Sequence, residues 1–475
     1  MTRAFLLLLC AVVSVAAPKP ALKNSIDRVI ARTPSLQSSF IGIHIVRLAD
    51  GRTLYSRNPD HLFTPASNVK LFTAALALAR LGPDYRFRTT VESDPNGDLI
   101  LVGRGDPSLS ARVYPYAKDA PESDPLQAID ALADQVVANG VRRVNGDVIG
   151  DDRRYVWRPY PEGWSAGDEA WGYGAPVSAL MVNDNEFTLS IEAGAEDGDP
   201  ARITSAPREP LVIMNRVRTT AGAENSIRVE RGRGELRIWG ALKPGDSDSE
   251  TLAVGDPALF AATALRDALE RRGVVIEGVA VARHRYRDEV SDPETARPAH
   301  EVALRMSPPL IELLKVTEKI SQNLHAEIFL REVAAVTRAE DGLTEMRAFV
   351  EQIGIDEKDI HLVDGSGLSR DNLVTPQAVT RLLTYMYHSA HRNRWMDLLP
   401  IGGVDGTLEK RFQRHPEAAA IHAKTGSLSH VRALSGYAVS KRYGMIAFSM
   451  LINNHAASAL DLGHFLDTIG LKLLD

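Results

Sequence analysis

Two spacings of apolar residues alternate along this chain. Ile41-Gly42-Ile43-His44-Ile45-Val46-Arg47-Leu48 alternates as a strand does, Ala49-Asp50-Gly51 marks a tight turn, and Arg52-Thr53-Leu54-Tyr55 reads as the returning strand. His44 is read as lying on that strand's face rather than as a ligand. Leu71 to Leu81 is rich in Ala and Leu, the best helix formers, and Gly82-Pro83 stops the helix. Pro65 sits where a helix entry tolerates proline.

After Pro83 short β-rich runs take over. Phe87 to Val91 and Leu99 to Val102 flank the turn Asp94-Pro95-Asn96-Gly97. Ile227 to Glu230 and Glu235 to Trp239 flank Gly232-Arg233-Gly234. Two helices interrupt them, Pro125 to Ala138 and Pro257 to Arg272, the second with Asp256 as N-cap. Helical spacing returns at Ser307, read as a cap followed by Pro308 and Pro309 at a helix start. Another helix follows Asn323, and Thr375-Pro376 opens one more, to His388. Ala418 to Thr425, Arg432 to Val439 and Tyr443 to Ile452 form an antiparallel meander, closed by a helix from Ala457 to Leu474.

The layout predicts an α+β domain, an antiparallel sheet flanked by helices, built from residues 17–83 and 300–475. Residues 84–299 form an insert of one or two strand-rich domains that governs access or targeting rather than bond making. The Gly82-Pro83 exit and the re-entry near 300 are then spatial neighbours.

Composition narrows the setting. With 475 residues, 44% hydrophobic, 24% charged and a net charge of −6, the chain is an ordinary globular protein with no sign of a nucleic-acid partner. Thr2-Arg3 and the apolar run Ala4 to Val15 read as a secretory signal over residues 1–16, cut before Ala17. That run falls short of the ~20 residues a membrane span takes. The protein is therefore read as exported, periplasmic or otherwise extracytoplasmic, with an uncleaved anchor as the alternative. Weak membrane or cell-wall association stays open. The one cysteine, Cys10, lies in the signal, so the mature chain has no disulfides, thiol catalysis or Cys-based metal site.

Three short motifs carry chemistry. Ser67-Asn68-Val69-Lys70 is S-x-x-K, with hydroxyl and amine one helical turn apart. Positive potential at a helix start favours a developing oxyanion, and a neutral amine can take the serine proton. Ser321-Gln322-Asn323 is S-x-N, and Lys424-Thr425-Gly426-Ser427 is K-T-G-S at a strand end. Singly each has a plain structural use as a helix cap or strand-to-turn junction. In this order they form the motif set of acyl-transferring serine enzymes that react with penicillins. Ser321 can relay a proton between the lysines and the leaving amine, Asn323 can hold an amide, and Lys424 and Thr425 can bind a carboxylate. The N–H groups of Ser67 and Ser427 can form an oxyanion hole.

With these motifs, and with Asp364-Gly365-Ser366-Gly367-Leu368-Ser369-Arg370-Asp371-Asn372, Gly403-Val404-Asp405-Gly406-Thr407-Leu408 and Leu434-Ser435-Gly436-Tyr437, the chain resembles the penicillin-binding protein 4-type D-alanyl-D-alanine carboxypeptidases, peptidase family S13. The resemblance covers nearly the whole mature chain. It implies a serine β-lactamase/transpeptidase-like domain interrupted by extra domains. It implies Ser67 as acylated nucleophile, Lys70 as base, Ser321 and Asn323 completing the relay and substrate hold, and Lys424 and Thr425 on the terminal carboxylate. Gly426 and Ser427 line the same substrate-binding strand. The implied substrates are peptidoglycan stem peptides ending in D-Ala-D-Ala, with endopeptidase cleavage of cross-links alongside, and β-lactams are covalent inhibitors. No cofactor and no metal are expected. Gln322 stands where Asn or Asp is commoner and is discounted as outside the catalytic core; the Gly-rich runs are assigned loop shaping only. A class A β-lactamase would carry an E-x-x-L-N run and a zinc protease H-E-x-x-H, neither of which is present, and an esterase would want G-x-S-x-G, which Gly365-Ser366-Gly367 does not supply. A non-catalytic muropeptide or β-lactam binder on the same fold, or a β-lactamase, remains the alternative.

Overall fold

A five-stranded antiparallel sheet anchors the larger body of the protein. The computed structural model describes residues 22–287 and 299–475, except 122, 210, 223 and 233. The expected signal, with Cys10, lies outside the described residues. Along the chain the helices are α1 (Leu22–Ala31), α2 (Val69–Arg80), α3 (Gln127–Ala138), α4 (Pro257–Arg271), α5 (Leu310–Ile320), α6 (Asn323–Thr337), α7 (Gly342–Gln352), α8 (Pro376–His388), α9 (Arg392–Leu398) and α10 (Ala459–Leu473). The expected helices are all here; α1, α7 and α9 are additional.

The sheet runs Ile421–Leu428, Val431–Ser440, Gly444–Asn453, Phe40–Arg47, Thr53–Arg57, so the N-terminal hairpin joins the C-terminal meander, with Ile43 opposite Met450. One face packs on α1 and α10 through Ile26, Ile45, Phe448 and Phe465; the other on α2, α5, α6 and α8 through Phe72, Leu313, Phe329 and Leu382. Helices on both faces explain why the inner strands read as near-continuous apolar runs instead of alternating.

The expected Ser307 cap takes another form. Pro309 occupies the N-cap position of α5, while Ser307 Oγ accepts from the Phe87 N–H at 2.9 Å. That bond ties the returning chain to the outgoing one, as do Ile311 N–H to Pro83 O at 3.0 Å and Leu310 N–H to Tyr85 O at 2.7 Å. The strand His300–Met306 pairs with Arg88–Ser93 in the insert's own five-stranded sheet, so these seven residues beyond the expected 299/300 boundary belong to that sheet. Two three-stranded sheets, a two-stranded pair of Arg143–Val144 with Val275–Ile276, and α3 and α4 complete the insert around a separate core.

Candidate active site

The turn that carries Ser67 is tightly built. Ala66–Asn68 forms a single 3-10 turn leading into α2, and Ala66 holds φ 49°, a left-handed value unusual for alanine. Two glycines let neighbouring segments close on it. A Cβ on Gly426 would lie 2.8 Å from the Pro65 carbonyl oxygen, and one on Gly367 would lie 2.0 Å from the Ala66 carbonyl oxygen. The K-T-G strand and the Asp364–Gly367 loop can approach Ser67 this closely only because no side chain intervenes.

Lys70 is fully buried and donates to three oxygens: Ser67 Oγ at 3.0 Å, Asn323 Oδ1 at 2.6 Å and the Ser366 carbonyl at 2.6 Å. Burial first, and repulsion by Lys424 second, push its pKa down to about 7, against the pull of Glu318, Asp364 and Glu327. A neutral amine keeps two N–H donors and gains one lone pair. The amide oxygen and the carbonyl can only accept, so the lone pair must face the one partner able to donate, the Ser67 hydroxyl.

Lys424, equally buried, donates to Ser321 Oγ at 2.7 Å and to the Thr425 carbonyl at 3.0 Å. Burial pushes its pKa down to about 8 despite Glu318. Ser321 takes φ 65° at the end of α5, which turns its hydroxyl to Lys424. Among the described residues no hydrogen bond joins Ser321 to Ser67 or Lys70. Asn323 opens α6; its Oδ1 accepts from Lys70 and its Nδ2 donates to the Tyr173 carbonyl at 2.8 Å. Thr425 Oγ1 donates to Thr407 Oγ1 at 2.7 Å.

The strand Ile421–Leu428 lies at the sheet edge. On its free side Ile421 O accepts from Gly402 N–H and Ala423 N–H donates to Pro400 O, each at 2.9 Å. The two-residue alternation of an antiparallel strand carries that side on to Thr425 and Ser427. The Ser427 N–H therefore faces away from the sheet, and the residue is exposed.

All eight sequence-predicted residues lie on these three converging segments. Sequence reasoning missed four contributions. The Ser366 carbonyl binds Lys70, beyond the loop shaping that the sequence assigns to this run. That loop wraps Asp364, whose carboxylate accepts from Gly367 N–H, Ser369 N–H and Asn372 Nδ2 at 2.7 to 2.8 Å, and from Trp164 Nε1 at 3.1 Å. Its glycine run was the available signal for a close backbone approach. The Tyr173 carbonyl and Trp164 come from the insert, with no local signal. Glu318 is fully buried near both lysines, its oxygens without a hydrogen-bond partner among the described residues; burial pushes its pKa up to about 7. Gln322, discounted from sequence, is the N-cap of α6: its Oε1 accepts from Leu324 N–H at 2.8 Å. No cluster of metal-ligating side chains occurs among the described residues.

The chain is 34% identical over 467 residues to a D-alanyl-D-alanine carboxypeptidase of Actinomadura sp. (strain R39), covering 92% of this chain and 82% of that one. It is 24% identical over 445 residues to a D-alanyl-D-alanine carboxypeptidase of Haemophilus influenzae, covering 90% and 88%. The crystal structure of penicillin binding protein 4 from Haemophilus influenzae has a TM-score of 0.81 at 24% identity, over 95% of this chain and 99% of that one. The family model of the D-Ala-D-Ala carboxypeptidases 3 (S13) matches residues 22–466, nearly the whole described chain, and the protein belongs to that family.

Proposed function

We propose that the protein removes the terminal D-alanine from peptidoglycan stem peptides through an acyl-enzyme on Ser67. The carrying observation is the hydrogen-bond set of Lys70, which leaves a neutral amine one partner to deprotonate, Ser67. Ser67 Oγ attacks the carbonyl between the two D-alanines while Lys70 Nζ takes the proton. The Ser67 and Ser427 N–H groups hold the oxyanion. Collapse of the tetrahedral adduct breaks the C–N bond; the Ser321 hydroxyl hands a proton to the leaving amine and regains one from Lys424. The proton that Lys70 took from Ser67 passes through solvent to Lys424, which leaves Lys70 neutral. Lys70 then takes a proton from the water that attacks the ester, the bond from the acyl carbon to Ser67 Oγ breaks, and Lys70 returns that proton to Ser67.

Lys424 and Thr425 are the carboxylate-binding pair, and Asn323 orients Lys70 as well as the substrate amide. β-Lactams acylate the same serine and stay. The Asp84 to His300 region shapes access for the peptidoglycan strand, and the Tyr173 carbonyl is one of its contacts with the site. The apolar Ala4 to Val15 run supports export, and no described helix is long and apolar enough to cross a membrane.

The test is product analysis of monomeric and cross-linked muropeptides. Free D-alanine from a pentapeptide is expected, and Ser67→Ala abolishes both this and covalent penicillin labelling. Penicillin bound with no D-alanine released would point instead to a non-catalytic binder. Cleavage of cross-links would add endopeptidase activity.

A further inference from the structure

The turn Asn183–Asn185 belongs to the insert and carries three successive non-glycine residues in left-handed backbone, φ 51°, 54° and 54°. Such a run is unfavourable for L-residues and persists only where its surroundings hold it. Here Asn183 N–H donates to Leu109 O at 2.7 Å, Asn183 Nδ2 to Glu186 O at 2.8 Å and Asn185 Nδ2 to Pro176 O at 2.9 Å. The turn directs Asp184, 3% exposed, out of its own domain toward α6. Its Oδ1 accepts from His325 Nε2 at 2.9 Å and its Oδ2 from Gln322 Nε2 at 3.0 Å, while Arg112 supplies the balancing charge. Gln322 lies between Ser321, bonded to Lys424, and Asn323, bonded to Lys70.

We infer that Asp184 is a positioning residue of the acyl-transfer site: by fixing Gln322 and His325 it holds the Ser321-Gln322-Asn323 turn so that both ends meet their lysines. Only a carboxylate suits the place. It faces three donors, and an amide would bring an N–H₂ against one of them. Asp184 contacts no reacting atom and acts through Gln322. The inference rests on the Ser67 acyl-enzyme reading. It gives the insert a part in bond making that its place in the sequence did not reveal.

The experiment compares Asp184→Asn, Gln322→Ala and the double variant. It measures the second-order acylation rate with a chromogenic β-lactam below each melting temperature, locates the adduct by mass spectrometry, and follows D-alanine release. Each single substitution should slow acylation of Ser67 on the order of 10- to 100-fold, as expected for a displaced catalytic group. With peptide, kcat should fall and KM change little. The double variant should be no slower than the slower single, because both break one chain of contacts. Wild-type acylation rates in folded Gln322→Ala, or losses that multiply in the double variant, would overturn the inference. If Asp184→Asn fails to fold, Gln322→Ala alone decides by the same criterion. A wild-type adduct on a residue other than Ser67 would refute the acyl-enzyme reading itself, and this inference with it.

Discussion

Gly367→Ala is the substitution for which the structure predicts the sharpest separation of activity from stability. Gly367 holds φ 82°, and a Cβ there would lie 2.0 Å from the Ala66 carbonyl oxygen and 3.0 Å from the Ser67 nitrogen. Two costs follow. Left-handed backbone costs an alanine roughly 1–2 kcal/mol. The overlap is worse: ordinary contact begins at 3.4 Å, so loop and nucleophile turn must part by about 1.4 Å. The struck carbonyl belongs to the residue before the nucleophile, so the displacement passes to Ser67. A shift near 1 Å costs on the order of 100-fold in rate, about 2.7 kcal/mol in the barrier. Gly444→Ala is the control. It holds φ 70° at the turn between two central strands and has nothing within 4 Å of its added methyl. Both variants should lose thermal stability, Gly367→Ala the more because of its overlap, but only Gly367→Ala should lose acylation by a chromogenic β-lactam. If folded Gly367→Ala acylates within a few-fold of wild type, or Gly444→Ala slows as much, the close approach has no bearing on catalysis.

The remaining predictions concern charge. The base must be neutral, so acylation should fall as pH drops through the lowered Lys70 value, about 7, and a rate flat into mild acid would count against Lys70. Glu318 raises the pKa of both buried lysines, so Glu318→Gln should move that acid limb to lower pH; an unmoved limb would show that its carboxylate is not felt at Lys70. In the insert, burial opposes charge on His284, but hydrogen bonds to Asp152 and Asp256 outweigh it and raise its pKa to about 9. A raised histidine stabilises the fold fully below its unfolded value of 6.5 and loses this as pH rises through about 9, so His284→Asn should lower Tm at pH 6 and hardly at pH 10.

How much of this was legible in the sequence depended on whether each feature was local. The Ser67 and Lys70 relation was legible because both ends sit on one turn, and the strands and most helices because their spacing and stops are local. Helix α7 was missed although Asp341 caps it through Thr344 N–H and Leu343, Met346, Phe349 and Val350 keep helical spacing; Gly342 at its start masks the signal. The re-entry point was read early because His300–Met306 is a strand, and strand spacing does not say which sheet a strand joins.

Contacts between distant segments left no such trace. Asp184 and Gln322 stand 138 positions apart, and neither is unusual where it stands. A glutamine after Ser321 reads as a tolerated departure from the commoner Asn or Asp until its two ends are followed. One end caps α6, and the other reaches a carboxylate in another domain. A lowered Lys70 with Lys424 beside it is expected once the three motifs are read together, but no local signal in the sequence carries the burial that produces it. Only packing puts them within reach of each other and of Glu318, in surroundings where an ammonium is costly. In the proposed reaction that packing fits Lys70 to act as a base near neutral pH, so the property that the mechanism asks of a common S-x-x-K spacing is supplied by residues far from it in the chain.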